Sequence, residues 1–317
     1  MGGWGPGSES IRLGPQSDLL GARRKVAVLI LVTGATGTVG TAVVRRLRER
    51  GQAVRAIVRD RSAPSPLAGL DVELFQADLR RPQTLEGAFD GVHTAFLLTP
   101  PADDQAVMEI GFIDAAVAAG IRTVVKHSAV GADASASGLV NAHGRSERHL
   151  IGTGISYVIV RPTQFMQNLL SWTPSIARAS ALVIPLASPE VRINMVDVQD
   201  VADVEATVLS EDGHAGRIYT PSGPDLLTYG EVAERLSAGV GTPIPLQVPS
   251  ADRYRDDMLA AGYPDAAVTG TVAYFSTLRQ GTTALGITTQ DVEEVTGHRP
   301  GSVEDFALSH ADSLRPA

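Results

Sequence analysis

The chain has 317 residues, 44% of them hydrophobic, enough to bury the core of one large α/β domain or of a nucleotide-binding domain with a smaller companion. A net charge of −8 with no Lys/Arg cluster argues against nucleic acid as a partner, and the lack of cysteine excludes disulfides, thiolate zinc sites and cysteine nucleophiles. No stretch approaches the roughly 18 apolar residues of a membrane span.

Residues 1–24 are rich in Gly, Pro and Ser and lack periodicity. They have no positive segment followed by an apolar one, so they read as a poorly ordered extension rather than a secretory signal, and a cytoplasmic location is expected. The run 26–32 is apolar throughout and rich in Val and Ile, the pattern of a strand buried on both faces. Thr33-Gly34-Ala35-Thr36-Gly37-Thr38-Val39-Gly40 follows at once. In such a strand–turn–helix unit Gly34 turns the chain off the strand, Gly37 lets a phosphate approach the backbone, and Gly40 lets the helix pack on the strand. The free N–H groups at the helix start and the positive end of its dipole then hold a pyrophosphate.

A helix is predicted over 38–50, with strands over 53–58, 72–75 and 94–98. A helix over 104–119, a strand from 123 to about 128, a helix over 139–151 and a strand over 156–160 follow. This alternation predicts a Rossmann-type, doubly wound parallel sheet with helices on both faces, covering 25–162. Ligands of such sheets bind at the carboxyl ends of the strands, so the chain near Gly34, Arg59, Asp78, Thr99, Ser128 and Pro162 should face one crevice. Beyond Pro162 the rhythm changes. Residues 163–178 look helical but interrupted by Pro174. Short strands are expected at 182–184, 191–196 and 217–220, and helices at 198–209, 228–239, 250–261, 266–280 and 288–295. Residues 191–222 are expected to return to the sheet, and 163–190 with 223–317 to form a smaller, mostly helical cap that shapes a substrate pocket.

The end of the second strand selects the cofactor. NAD sites place Asp or Glu there for the ribose 2′-hydroxyl, and NADP sites place Arg or Lys for the 2′-phosphate. Arg59 comes immediately off the strand, which favours NADP(H), although Asp60 could serve a ribose if the register slips by one. Asp78 can accept from an adenine amino group, with Leu79 over the ring, or cap the following turn. Alternation puts Lys126 and Ser128 on one face of their strand and His127 on the other. Ser128 could bond a substrate carbonyl or a loop backbone group. His143 and Glu147 are four apart on one helical face, the spacing of a surface pair or of a proton donor beside the crevice.

These stretches, with Val58-Arg59-Asp60, Ala77-Asp78-Leu79, the segment 124–132, Val160-Arg161-Pro162 followed by Phe165 and Asn168, the segment 196–202, and Thr296-Gly297-His298-Arg299-Pro300 before Phe306, resemble the NmrA-like, atypical short-chain dehydrogenase/reductase group. That group includes bacterial NAD(P)H:quinone and azo-dye reductases, isoflavone-reductase-like enzymes and non-enzymatic redox-sensing regulators. The resemblance implies cofactor contacts through Gly34, Thr36, Gly37, Thr38 and Val39, through Arg59 for the 2′-phosphate, and through Asp78 and Leu79 at adenine. Thr99 and Pro162 would lie near the nicotinamide. It also exposes a departure. Reductases of the wider superfamily carry Tyr-x-x-x-Lys on the helix after the fifth strand; aligning Glu147 puts Leu139 at the Tyr position and His143 at the Lys position. Leucine cannot transfer a proton, so protonation would come from solvent, His143 or Ser128.

The expectation is an NADP(H)-dependent reductase passing hydride to a quinonoid, aromatic or enone acceptor, in a pocket drawing on Phe165, Met166 and Asn168. Phe165 and Met166 are equally candidates for the core. A non-catalytic NADP(H)-sensing regulator acting through a protein partner is the alternative, and the missing Tyr counts against an epimerase or lyase. The chain should act as a monomer or homodimer on a small molecule, without a metal, a membrane or nucleic acid.

Overall fold

The computed structural model describes residues 1–3, 28–133, 138–279 and 284–315, with residues 138 and 139 described by their backbone alone. All but its first three residues of the expected N-terminal extension lie outside these. Strand β1 (Leu29–Val32) leads into helix α1 (Thr38–Glu49), followed by β2 (Ala53–Val58), β3 (Glu73–Gln76) and β4 (Val92–Leu97). Helix α2 (Gln105–Ala118), β5 (Thr123–His127), α3 (Gly138–Gly152) and β6 (Ser156–Val160) continue the alternation. Then come β7 (Gln164–Phe165), α4 (Thr173–Ala179), β8 (Leu182–Val183), β9 (Ile193–Val196), α5 (Val198–Ser210), β10 (Ile218–Tyr219) and β11 (Leu226–Leu227). The chain closes with α6 (Tyr229–Val240), β12 (Leu246–Gln247), α7 (Ala251–Ala260), α8 (Asp265–Thr277), α9 (Asp291–Thr296), α10 (Val303–Ser309) and α11 (Ala311–Leu314).

Seven strands form one parallel sheet in the order β10-β6-β5-β4-β1-β2-β3. Strand order reverses between β1 and β4, which makes the crevice there a topological switch point. Alternation along β1 feeds two cores. Ile30 and Val32 pack under α1 and α5, while Leu31 faces the opposite side with Phe112 and Ile113 of α2; all five are 0% exposed. A third core, with Ile176, Ile193, Tyr229, Leu236 and Phe306, belongs to the C-terminal cap.

Two expectations are corrected. Residues 163–178 do not form an interrupted helix. Gln164 and Phe165 pair with Met195 and Val196 as β7, a 3₁₀ turn spans Met166–Trp172, and Pro174 lies in the first turn of α4, where its missing N–H has no helical role. Of 191–222, β10 joins the main sheet beside β6, but β9 does not. It pairs with β7 and β11 in a separate sheet of three, where the Asn194 side chain bonds Thr163, Gly223 and Asp225. Strands β11 and β12 have two residues each and carry no periodicity from which a sequence could announce them.

Candidate functional site

The carboxyl ends of the strands open into one cavity of about 680 Å³. Gly34, Arg59, Asp78, Thr99, Ser128 and Pro162, each just past a different strand, all line it, as do Thr36, Gly37, Thr38, Val39, Leu79, His143, Phe165 and Asn168. Met166 does not. It is 1% exposed and packs in the cap core beside Leu169 and Met195, because the 3₁₀ turn directs it inward; its expected place in the pocket is corrected.

The glycine turn is sterically determined. Gly34 has φ +62°, and a Cβ on Gly40 would stand 2.1 Å from the Gly34 carbonyl oxygen. No side chain caps α1, and the N–H groups of Thr38 and Val39 in its first turn have no partner within the helix. Together they give the cavity an electropositive end. Arg59 stands beside it and makes no hydrogen bond or ion pair among the described residues, unlike the cavity-lining Arg80, which is clamped by Asp104 at 2.7 and 3.0 Å. Asp60 accepts from both the backbone N–H and the hydroxyl of Ser62, which hold its carboxyl below the usual range, and it does not line the cavity. Register therefore presents Arg59 and turns Asp60 away. Asp78 both lines the cavity and accepts the Arg80 N–H at 3.0 Å.

The middle of the cavity rests on a buried polar network. Lys126, fully buried, donates to Glu109 at 2.8 Å and lies 3.2 Å from Nδ1 of His143. Thr99 and Ser146 also donate to Glu109, at 2.9 and 2.5 Å. Burial opposes the Glu109 charge, but the Lys126 ammonium and the Lys126 and Ser146 hydrogen bonds hold its carboxyl below the usual range. Burial pushes the Lys126 ammonium down against the pull of Glu109. The same burial, then the Lys126 charge, pushes His143 down to about 3. Its other nitrogen, Nε2, lies 3.2 Å from the Gln105 amide. His143 is thus a neutral ring at ordinary pH, which corrects it as a cationic proton donor. Nor does it pair with Glu147. Glu147 instead accepts the Ser128 hydroxyl through a very short hydrogen bond and is clamped by Arg161 at 3.0 and 2.6 Å. The Ser128 proton is committed there, so towards the cavity this hydroxyl offers lone pairs, not a hydrogen; its expected bond to a substrate carbonyl is corrected accordingly.

On the opposite face of β5, His127 also lines the cavity, and its Nδ1 lies 2.6 Å from Oε1 of Glu205 on α5. Burial pushes the Glu205 carboxyl up, against the pull of His127. Neither Glu109 nor Glu205 was singled out from the sequence. The available signal was a lone carboxylate inside an apolar helical run, Val107-Met108-Glu109-Ile110 and Val204-Glu205-Ala206. Among the described residues no group of three or more His, Cys, Asp or Glu is placed to hold a metal, and no helix is long and apolar enough to cross a membrane.

A glycine cradle at the switch point of a parallel sheet defines a dinucleotide-binding Rossmann protein. Residues 27–282 match the NmrA-like family, and the chain belongs to it. It is 31% identical over 290 residues to the NAD(P)H azoreductase of Xenophilus azovorans, covering 91% of this chain and all of that one. Among solved structures it resembles the NADPH-dependent quinone oxidoreductase QOR2 of Escherichia coli in complex with NADPH, with a TM-score of 0.79 and 26% identity over 89% of this chain and 99% of that one. It also resembles a triphenylmethane reductase of Citrobacter sp., with a TM-score of 0.79 and 26% identity over 89% and 98%.

Proposed function

We propose that the protein is an NADP(H)-dependent reductase that passes hydride to a quinonoid, aromatic or enone acceptor. The observation that carries this is the charge layout of the cavity at the strand ends. Its one arginine without a partner among the described residues, Arg59, stands at the glycine cradle, where a 2′-phosphate would sit. The first-turn N–H groups of Thr38 and Val39 would take the pyrophosphate, and Asp78 with Leu79 the adenine. When bound, the dihydronicotinamide supplies a hydride to the acceptor. At the other end, Pro100, Pro101, Met108 and Phe165 form an apolar wall, and Asn168, whose amide makes no hydrogen bond among the described residues, offers a donor and an acceptor. Among the described residues no unpaired cation lines that end. An azoreductase, a quinone oxidoreductase and a triphenylmethane reductase among its relatives support an aromatic or quinonoid acceptor.

The test mixes the protein with NADPH and a panel of p-quinones, enones and azo dyes and follows loss of nicotinamide absorbance. Oxidation with at least one of these classes is expected. NADPH binding with no oxidation across the panel overturns the reductase reading in favour of a binding module that reports redox state.

A further inference from the structure

Hydride transfer leaves an electron pair on a quinone or enone that must be met by a proton, and the groups expected to supply it do not. No tyrosine lines the cavity among the described residues. His143 is neutral between Lys126 and Gln105, and the Ser128 proton is bonded to Glu147. One further proton-bearing side chain lines the cavity with a partner built for the task. We propose that His127, held by Glu205, is the proton donor of the reduction.

Three observations support the pair. First, His127 ends β5 beside Ser128, lines the cavity, and has its ring fixed between Phe96 and Phe165, at centroid distances of 6.5 and 6.1 Å. Second, Nδ1 is fixed on Glu205 Oε1 at 2.6 Å, so Nε2, which makes no hydrogen bond among the described residues, is the ring nitrogen left for a ligand. A carboxylate behind an imidazole fixes its orientation and steadies its charged form. Third, Glu205 is 0% exposed and its Oε2 has no hydrogen-bond partner. A buried carboxyl satisfied on one oxygen alone costs stability, and an apolar residue would fill the same place in α5 more favourably. Such a cost points to a role beyond folding.

The step balances. Hydride transfer oxidises the dihydronicotinamide by two electrons and forms a C–H or O–H bond on the acceptor. The electron pair displaced onto the acceptor then forms a bond to the proton of His127 Nε2–H as that N–H bond breaks. The ring keeps its Nδ1 contact with Glu205, which retains one proton between the two groups, and solvent restores the proton on Nε2. The titratable and charged neighbours of His127 are Glu205 from α5, Lys126 next in β5 and His143 from α3.

The inference rests on the reductase reading, and the acceptor separates the two. A triarylmethane cation takes hydride on carbon and needs no proton, whereas a quinone or enone needs one. His127→Gln should slow quinone or enone reduction by about 10²- to 10⁴-fold, the usual contribution of a general acid, and reduction of the cation by less than a tenth of that factor. Glu205→Gln should move the alkaline fall of kcat for the quinone to lower pH. NADPH affinity, read by nicotinamide fluorescence, should stay within about threefold in both variants, since one unmade contact of a neutral group changes binding by little more; a variant that fails this check is replaced by His127→Asn. Equal losses for quinone and cation, or quinone reduction by His127→Gln at the native rate, overturn the assignment of His127 alone. Failure of the native protein to oxidise NADPH with any acceptor overturns the reductase reading and this assignment with it.

Discussion

Arg59 is exposed at the cavity rim and held by no neighbour among the described residues, so its removal should cost the fold little. Arg59→Ala should weaken NADPH by about 10- to 100-fold, the range for a charge-assisted bond to phosphate, and leave NADH within about twofold. Fluorescence titration with both nucleotides checks this, and equal losses would remove the 2′-phosphate from the account. This residue was legible in the sequence because its meaning is local: a cation one step off a strand end. Gly34 was legible for the same reason. Lys126, Glu109, His127 and Glu205 were not, because their meaning lies in partners 17 and 78 positions away. Spacing along a helix suggested that His143 would meet Glu147, but each found a stronger partner on another element. Met166 shows the same limit in reverse, since a residue next to two cavity-lining positions can still point into a core.

At the scale of elements, long periodic segments were readable and short ones were not. Strands β2 and β6 fall on the expected residues, because six and five consecutive positions rich in buried apolar side chains leave an unmistakable pattern. Helix α5 was expected one residue short of its length, with Asp197 capping it by accepting from Gln199 N–H. The segment 163–178 misled because its local preference for helix yielded to pairing with β9, a tertiary contact outside any sequence window. The join of β1 to α1 is the least forgiving of these connections. A methyl on Gly40 overlaps the Gly34 carbonyl and approaches Ala35 Cα at 2.9 Å, both backbone atoms, so the helix itself must move. Gly40→Ala should therefore destabilise the fold by about 1–3 kcal/mol, as overpacking does, and also shift the pyrophosphate cradle. Denaturant titration and NADPH binding should both register it. Native stability in the variant would show the contact to be slack.

Over the whole molecule, acid sensitivity should trace to the neutral His143. Its ordinary value is 6.5, and burial with the nearby Lys126 charge holds it near 3 in the folded chain. The depressed value means that its contribution to stability is complete above 6.5 and fades as pH falls towards 3, because the unfolded chain takes up a proton that the folded chain refuses. His143→Gln, which keeps an acceptor for Lys126, should have a Tm that falls less than the native one over this interval. Parallel curves in a thermal scan series would place the acid sensitivity elsewhere. Asn194 ties β9 to the chain at Thr163 and at 223–225, its side-chain oxygen accepting from Thr163 and Gly223 while its nitrogen donates to the Gly223 and Asp225 carbonyls. That arrangement also sets an order of events during synthesis. The sheet has all seven strands once Tyr219 has been made, but the cap core joins Ile176, Leu182 and Ile193 to Phe306, Ala307 and Leu314. A chain emerging from the ribosome therefore carries these apolar side chains uncovered until Leu314 has appeared, which makes the newborn protein, rather than the finished one, the form most in need of a chaperone.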